Sequence, residues 1–302
     1  MSDVRVGEIA VGMSADVERG DGGDLAAELD RMERLGVDIV EIPLLGLDVM
    51  TRARLLAGPM GRLVEACSGR PFALSVHAAI GLNFFNAPEH LPLHFDVLRA
   101  SLDVAARIGA RHVVMHTGFC PGDAADIEDR YARQREWFAR AAVEAAARDC
   151  VICVENVFPF GTGVHTASPA RLAAEIAAID DPHLRATHDV SHGYLHAGAC
   201  GGDAFAEALA LSAVAAHVHL HDSFGVPGET FWAYTEAEKM HFGLGDLHLP
   251  LGWGDIPFDR LMGEARYPQG CVFMIELPNR FVGEAAQTLA QARRLARIAR
   301  ER

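Results

Sequence analysis

Nine side chains of metal-ligating type close a series of apolar segments in this chain: His77, His116, Glu155, Asp189, His192, His219, Asp246, His248 and Glu276. Imidazole nitrogen and carboxylate oxygen are the donors that zinc, manganese and iron take. A set so large and so regularly placed points to a multinuclear metal site. A lone histidine carries no such weight, and His90, His94, His165, His183 and His196 are read as ordinary core or surface residues. Cys67, Cys120, Cys150, Cys153, Cys200 and Cys271 are scattered, as reduced thiols of a cytosolic core would be. Cys150 and Cys153 resemble a redox pair only by letter. They fall in an apolar β-like run, where residues three apart face opposite sides, so packing is the better reading.

The donors need elements to hold them. Short apolar runs at 6–11, 37–42, 72–77, 112–116, 151–155, 185–189, 217–221 and 272–276 read as strands. Between them run segments of helical period, at 24–35, 88–108, 127–147, 169–179 and 284–298. In the first, Leu25, Leu29, Met32 and Leu35 share a face and Gly36 ends the helix. Strands alternating with helices give a parallel sheet, and eight such strands close an α/β barrel, a (β/α)8 TIM barrel. Residues two apart on a strand share a face, so Ser75 and His77, Val114 and His116, Cys153 and Glu155, Thr187 and Asp189, and Met274 and Glu276 are expected to point inward together. The donor is the last inward residue in each pair, which puts it at the C-terminal mouth where barrel active sites lie.

The length of 302 residues and 50% hydrophobic content suit one large barrel, expected as a single domain over 1–302, because no linker divides the chain. A formal charge of −14 would repel the phosphate backbone over most of the surface, so nucleic acid is an unlikely partner. Residues 1–10 contain acidic groups and no long apolar run. No signal peptide or membrane span is expected, and the cytoplasm is the expected location. The connection 223–245 is long and carries Phe231, Trp232, Tyr234 and Phe242. Such a loop beside a barrel mouth is a lid closing on a ring-shaped substrate, or an interface in a homo-oligomer. Gly252 and Gly254 around Trp253 lack the strand, helix and Lys of a phosphate-cradling loop.

The strings Val76-His77, Met115-His116-Thr-Gly118, Val154-Glu155-Asn156, His188-Asp189-Val-Ser-His192, His219-Leu-His-Asp222, Asp246-Leu-His248-Leu-Pro-Leu-Gly-Trp-Gly254 and Ile275-Glu276 together resemble the xylose-isomerase-like TIM barrel superfamily. The ligand set is most similar to that of endonuclease IV, and the likeness spans nearly the whole chain. That resemblance implies three metals: one on His77, His116 and Glu155, a second on Glu155, Asp189, His219 and Glu276, and a third on His192, Asp246 and His248. The single-metal sugar isomerases and epimerases of the superfamily use only the equivalents of Glu155, Asp189, His219 and Glu276. Against a DNA-cleaving role, the loop after His77 reads Ala78-Ala79-Ile80-Gly81 and lacks the bulky aromatic expected there.

Two enzymatic readings follow, each using one to three divalent ions (Zn, Mn or Fe). The leading one is isomerisation or epimerisation of a small sugar-like hydroxyketone, with Glu155 and Glu276 moving the carbon-bound proton and His192 assisting at oxygen. The alternative is hydrolysis of a small phosphoester by a trinuclear site, and a minor third is a non-catalytic metal- or sugar-binding barrel. Substrate contacts are expected of Glu41, Asn156, His221, Trp232 and Trp253. Glu41 has a second reading as a group paired with a nearby Arg or a metal-bound histidine, Asn156 and Asn279 as turn residues, and His221 as a partner of Asp222 or the lid.

Overall fold

The alternation of apolar runs and amphipathic segments closes on itself. In the computed structural model, which describes residues 9–301, eight parallel strands form a closed barrel. They are β1 (Ala10–Ser14), β2 (Ile39–Pro43), β3 (Ala73–His77), β4 (His112–His116), β5 (Val151–Glu155), β6 (Leu184–Asp189), β7 (Ala215–Leu220) and β8 (Val272–Ile275). Each strand pairs with its predecessor, and β8 closes on β1 with Val11 beside Phe273. The architecture is the expected (β/α)8 barrel. Residues 6–8 of the first expected strand lie outside the described residues, and the strand itself runs on to Ser14.

The helices are α1 (Leu25–Leu35), α2 (Ala57–Cys67), α3 (Leu91–Ile108), α4 (Ile127–Ala146), α5 (Pro169–Ile179), α6 (Val190–Cys200), α7 (Ala204–Ser212), α8 (Glu236–Phe242), α9 (Phe258–Glu264) and α10 (Ala285–Arg300). α1 buries Leu25, Leu29 and Met32 and stops at Gly36, whose φ of 70° lets its N–H reach the carbonyls of Met32 and Glu33. The expected amphipathic stretches correspond to α1, α3, α4, α5 and α10. The segments α2, α6, α7, α8 and α9 escaped the periodicity argument. Gly58, Pro59 and Gly61 mask α2, while α8 and α9 are only two turns long.

The main core lies between the strands and the surrounding helices, where Val40, Ile42, Val76, Val113 and Phe273 meet residues such as Leu29, Leu98 and Phe138. Two small apolar clusters, Ile39 with Val272 and Met274, and Val114 with Val151 and Cys153, are separate from it. Their strand parity puts them inside the barrel, beneath the donors at the strand ends. Two antiparallel strands, Phe119–Pro121 and Val164–Thr166, tie together the loops that follow β4 and β5. All six cysteines are free thiols, and five of them are buried. No described helix is long and apolar enough to cross a membrane.

Candidate metal centre

Barrel register sets the donors in layers. His116 pairs with Glu155 across β4 and β5, and Asp189 pairs with His219 across β6 and β7. β6 passes into α6 without a loop. Asp189 ends the strand and also caps the helix, its Oδ1 accepting the His192 N–H at 2.7 Å, and this cap places His192 in the first helical turn beside it. Asn156 secures the same junction. Its side-chain amide donates to the Asp189 carbonyl at 2.8 Å, and its Oδ1 accepts the Asp189 N–H at 2.9 Å.

Asp246 and His248 reach the mouth from the loop beyond α8, with His248 in the left-handed region at φ 46°. A clamp on Asp222 anchors the segment that follows them. The Asp222 carboxylate accepts the N–H of Gly252 at 2.8 Å, and its backbone bridges to Leu249. Gly254 passes so close that a Cβ there would lie 2.3 Å from the Ser223 carbonyl oxygen and 2.5 Å from Asp222 Oδ1. The Gly-Trp-Gly string is thus a packing device for the loop carrying two donors.

All nine expected donors converge. Glu155 sits at the centre: its Oε2 lies 3.2 Å from His77 Nε2 and 3.6 Å from His116 Nε2, and its Oε1 lies 3.1 Å from His192 Nδ1 and 3.3 Å from His219 Nδ1. Glu276 approaches His219 Nδ1 at 3.5 Å and His248 Nδ1 at 3.6 Å, and Asp246 lies 3.3 Å from His192 Nε2 and 2.9 Å from His248 Nε2. Four overlapping groups at the mouth bring donor atoms within 4.8 Å of one another: His77, His116 and Glu155; Glu155, Asp189 and His219; Asp189, His221 and Glu276; and His192, His221, Asp246 and His248. His221 therefore stands among the donors, stacked on His248 with ring centroids 3.9 Å apart and 3.0 Å from Asp189 Oδ2.

These residues fit divalent ions. Their chemistry is the nitrogen and carboxylate set such ions take, and His219 Nδ1, His221 Nδ1 and Asp246 Oδ1 are buried without a hydrogen-bond partner. The ring of His77 is oriented for the role, since its Nδ1 meets the Ala78 carbonyl at 2.9 Å and leaves Nε2 facing the cluster.

Charge is tightly coupled here. Burial works against the ionised form of Glu155, but the neighbouring charges of His219 and His116 overcome it and hold the carboxyl well below its usual range. Asp189 is held low in the same way by His192 and His221, and Asp246 by His248 and His192. Burial opposes the protonated form of the histidines too. Even so, Glu155 raises His77 to about 9, Asp246 raises His248 to about 9, and both His192 and His219 are driven well above the ordinary imidazole value by their carboxylates. His116 goes the other way, pushed down to about 4 by burial.

A cavity of about 260 Å³ opens over the cluster, lined by His77, His116, Glu155, His192, Asp246, His248 and Glu276 together with Ser14, Pro43, Leu45, Ile80 and Phe160. It adjoins a second cavity of about 460 Å³ that adds Asp16, Val17, Glu236, Pro278 and Arg280. A larger cavity, about 620 Å³, lies at the opposite end of the strands and is lined by no carboxylate.

The expected substrate contacts are placed less uniformly than the donors. Trp232 is 80% exposed, packs edge-on against Tyr234, and lines neither mouth cavity. Trp253 also stays outside the mouth, its ring against Phe281 at 5.6 Å. Phe231, Tyr234 and Phe242 are exposed. The connection 223–245 instead reaches the rim of the mouth at α8, which starts on a Thr235–Glu238 capping box, and its contribution to the cavity is Glu236. Asn156 spends its amide on the backbone, and Asn279 bonds to Asp16 and Glu18. Glu41 is fully buried below the cavity. The aromatics near the donors come from the loop after β5: Phe160 lies parallel to His116 at 6.4 Å, and Phe158 lies 5.2 Å from His192. The Phe-Pro-Phe string at 158–160, directly after the β5 donor, was the signal that would have found them.

A (β/α)8 barrel whose C-terminal strand ends gather histidines and carboxylates around one cleft defines the class. Within it, the chain belongs to the xylose isomerase-like TIM barrel family, whose sequence pattern matches residues 29–299. Among solved structures, a D-tagatose 3-epimerase-like protein superposes with a TM-score of 0.70 at 19% identity, over 97% of this chain and 99% of the other. A 3-keto-D-glucoside 4-epimerase from E. coli gives 0.64 at 13% identity, over 95% and 100%. A Thermus thermophilus protein, whose crystal was soaked with ZnCl2, gives 0.62 at 21% identity, over 94% and 98%. No curated protein matches the chain by sequence.

Proposed function

We propose that this chain is a metal-dependent sugar epimerase or isomerase that moves a proton at a carbon beside a carbonyl. The observation that carries the reading is the pair Glu155 and Glu276. Glu155 ends β5 and Glu276 directly follows β8, both line the cleft, and both approach the same His219 Nδ1, at 3.3 and 3.5 Å. Epimerases among the structural neighbours support it.

Glu155, Asp189, His219 and Glu276 would hold the ion for this chemistry, which supplies positive charge that lowers the cost of an enediolate. The side chains do the rest. One carboxylate takes the carbon-bound proton while the C–H electron pair moves into the new C=C bond and the carbonyl π pair onto oxygen. The other carboxyl, protonated, returns a proton: to the same carbon from the opposite face for an epimer, or to the adjacent carbon for an isomer. Glu155, held ionised, begins as the base in one direction. The oxygens of Glu276 meet only imidazoles, at 3.5 to 3.8 Å, so they can turn towards substrate. His192 is placed to shuttle the oxygen-bound proton. Phe160 and Leu45 offer apolar surface to the C–H face of a sugar.

A second reading, hydrolysis of a small phosphoester by three metals, is favoured by one observation: His192, His221, Asp246 and His248 form a complete further donor group. Elemental analysis of protein purified without added metal, paired with turnover of a ketose panel and a phosphodiester reporter, separates the two. About one ion per chain with ketose turnover upholds the epimerase. Three ions, with reporter turnover abolished by His77→Ala or His248→Ala, replaces it with the hydrolase.

A further inference from the structure

Beneath the cleft, inside the barrel, lies a set of ionisable groups that the proposed proton transfer does not use. Glu41 on β2 and His217 and His219 on β7 are each fully buried. His219 turns Nδ1 up towards Glu155 and Glu276, and its Nε2 faces down to Glu41 Oε1 at 3.3 Å. The other carboxylate oxygen of Glu41 lies 3.4 Å from His217 Nε2 and accepts the Ser75 hydroxyl at 3.5 Å. Register explains the layering: Pro43 pairs with His77 at the mouth, and Glu41 pairs with Ser75 one step below.

Donor atoms of Glu41, His217 and His219 lie within 4.8 Å of one another, close enough to hold an ion in principle. Both Glu41 and His217 are fully buried, however, and neither lines the mouth cavities or the cavity at the opposite end of the strands, so the cleft does not open onto them. A carboxylate buried there is costly unless something fixes it and uses it. An imidazole that binds metal through one nitrogen needs its proton on the other, and a carboxylate behind the ring sets that tautomer and the ring's direction.

We infer that Glu41 is a positioning residue: its carboxylate, 3.3 Å from His219 Nε2, favours the tautomer with the proton on that nitrogen, so that the Nδ1 lone pair is presented to the metal centre, while Ser75 and His217 keep the carboxylate aimed. The inference rests on the mouth being a metal centre, and holds for either reaction.

Zinc competition against a chelating dye tests it on the full chain, with thermal melting of the metal-free protein as the folding control. Glu41→Gln keeps the side chain's size and is expected to weaken zinc binding by about 10- to 100-fold, with the number of ions bound at saturation unchanged. His217→Gln leaves the Glu41 charge in place and is expected to weaken binding less. The double variant should be no weaker than Glu41→Gln alone, because His217 acts through Glu41. Affinity within twofold of wild type in Glu41→Gln overturns the inference, as does loss of a whole equivalent of zinc, which would make Glu41 a ligand. If Glu41→Gln does not fold, unchanged affinity in His217→Gln overturns it. A wild-type chain that binds no zinc removes the metal-centre reading itself, an outcome distinct from either failure.

Discussion

Glu276→Gln separates the two carboxylates of the proposed mechanism. The amide has nearly the shape of the acid, so the cavity of about 260 Å³ and the neighbouring imidazoles at 3.5 to 3.8 Å should be retained. Gln can still offer an oxygen, but it neither takes nor returns a proton. Losing a placed acid or base costs about 10²- to 10⁴-fold in rate, or about 3–5 kcal/mol in the barrier. The loss should be one-sided. Glu155 remains, so the epimer whose C–H faces Glu155 should still exchange that hydrogen with solvent, while conversion to the other epimer stops. Proton NMR of a ketose incubated in D2O reads both events in one sample: loss of the C–H signal reports exchange, and appearance of product signals reports epimerisation. Metal content must be measured alongside, because Glu276 is also a donor. Epimerisation at the wild-type rate with metal content unchanged would refute the two-carboxylate mechanism.

Metal uptake should release protons, since His77 and His248 stand at about 9 and are largely protonated at pH 7.5. Affinity should therefore rise as pH increases towards 9, and calorimetry in buffers of different ionisation enthalpy counts the protons; a count of zero contradicts the charge arrangement. The same shifts make the metal-free protein less stable as pH rises. A raised histidine stabilises fully below its unfolded value of about 6.5 and loses that contribution through about 9, on the order of 3 kcal/mol for each. Thermal melts of the metal-free chain across that window should fall. Gly254→Ala should cost about 1–3 kcal/mol because its Cβ meets the Ser223 carbonyl oxygen at 2.3 Å, and differential scanning fluorimetry should show a drop of several degrees. Phe160→Ala should raise KM for a sugar substrate severalfold while Trp232→Ala leaves it unchanged, a contrast that steady-state kinetics reads directly.

The strand ends were legible because each donor closes a run of β-branched and apolar residues, as Glu155 closes Val-Ile-Cys-Val. Parity then placed it inward. The first turn of α6 was less visible, since Asp189 serves both as the last strand residue and as the helix cap, leaving no loop to mark the change. Depth was not legible either. Parity points Glu41 and His77 into the same barrel, but only the register, with Ser75 opposite Glu41 and Pro43 opposite His77, shows that Glu41 lies one layer beneath the cleft. Trp232 illustrates a different limit: an aromatic in a long connection can face the mouth or solvent, and here the connection puts only the exposed Glu236 at the rim of the mouth cavity.

Charge gives the number of ions a chemical meaning. Five carboxylates converge in and under the mouth, Glu41, Glu155, Asp189, Asp246 and Glu276, and the first three are fully or almost fully buried. Buried charge of one sign must be matched, and without metal the match comes from protons held on His77, His192, His219 and His248. One divalent ion replaces only part of that positive charge. The remaining histidines then keep their protons, and the site suits a neutral sugar, with acid groups at hand for its oxygens. Three ions would more than offset the five carboxylates and leave the cleft attractive to an anion, as a phosphoester requires. Of the five residues outside the four-residue isomerase set, His77, His192 and His248 would thus bias the choice of substrate through the ions bound: kept as protonated imidazoles they favour a sugar, and as ligands they favour a phosphate.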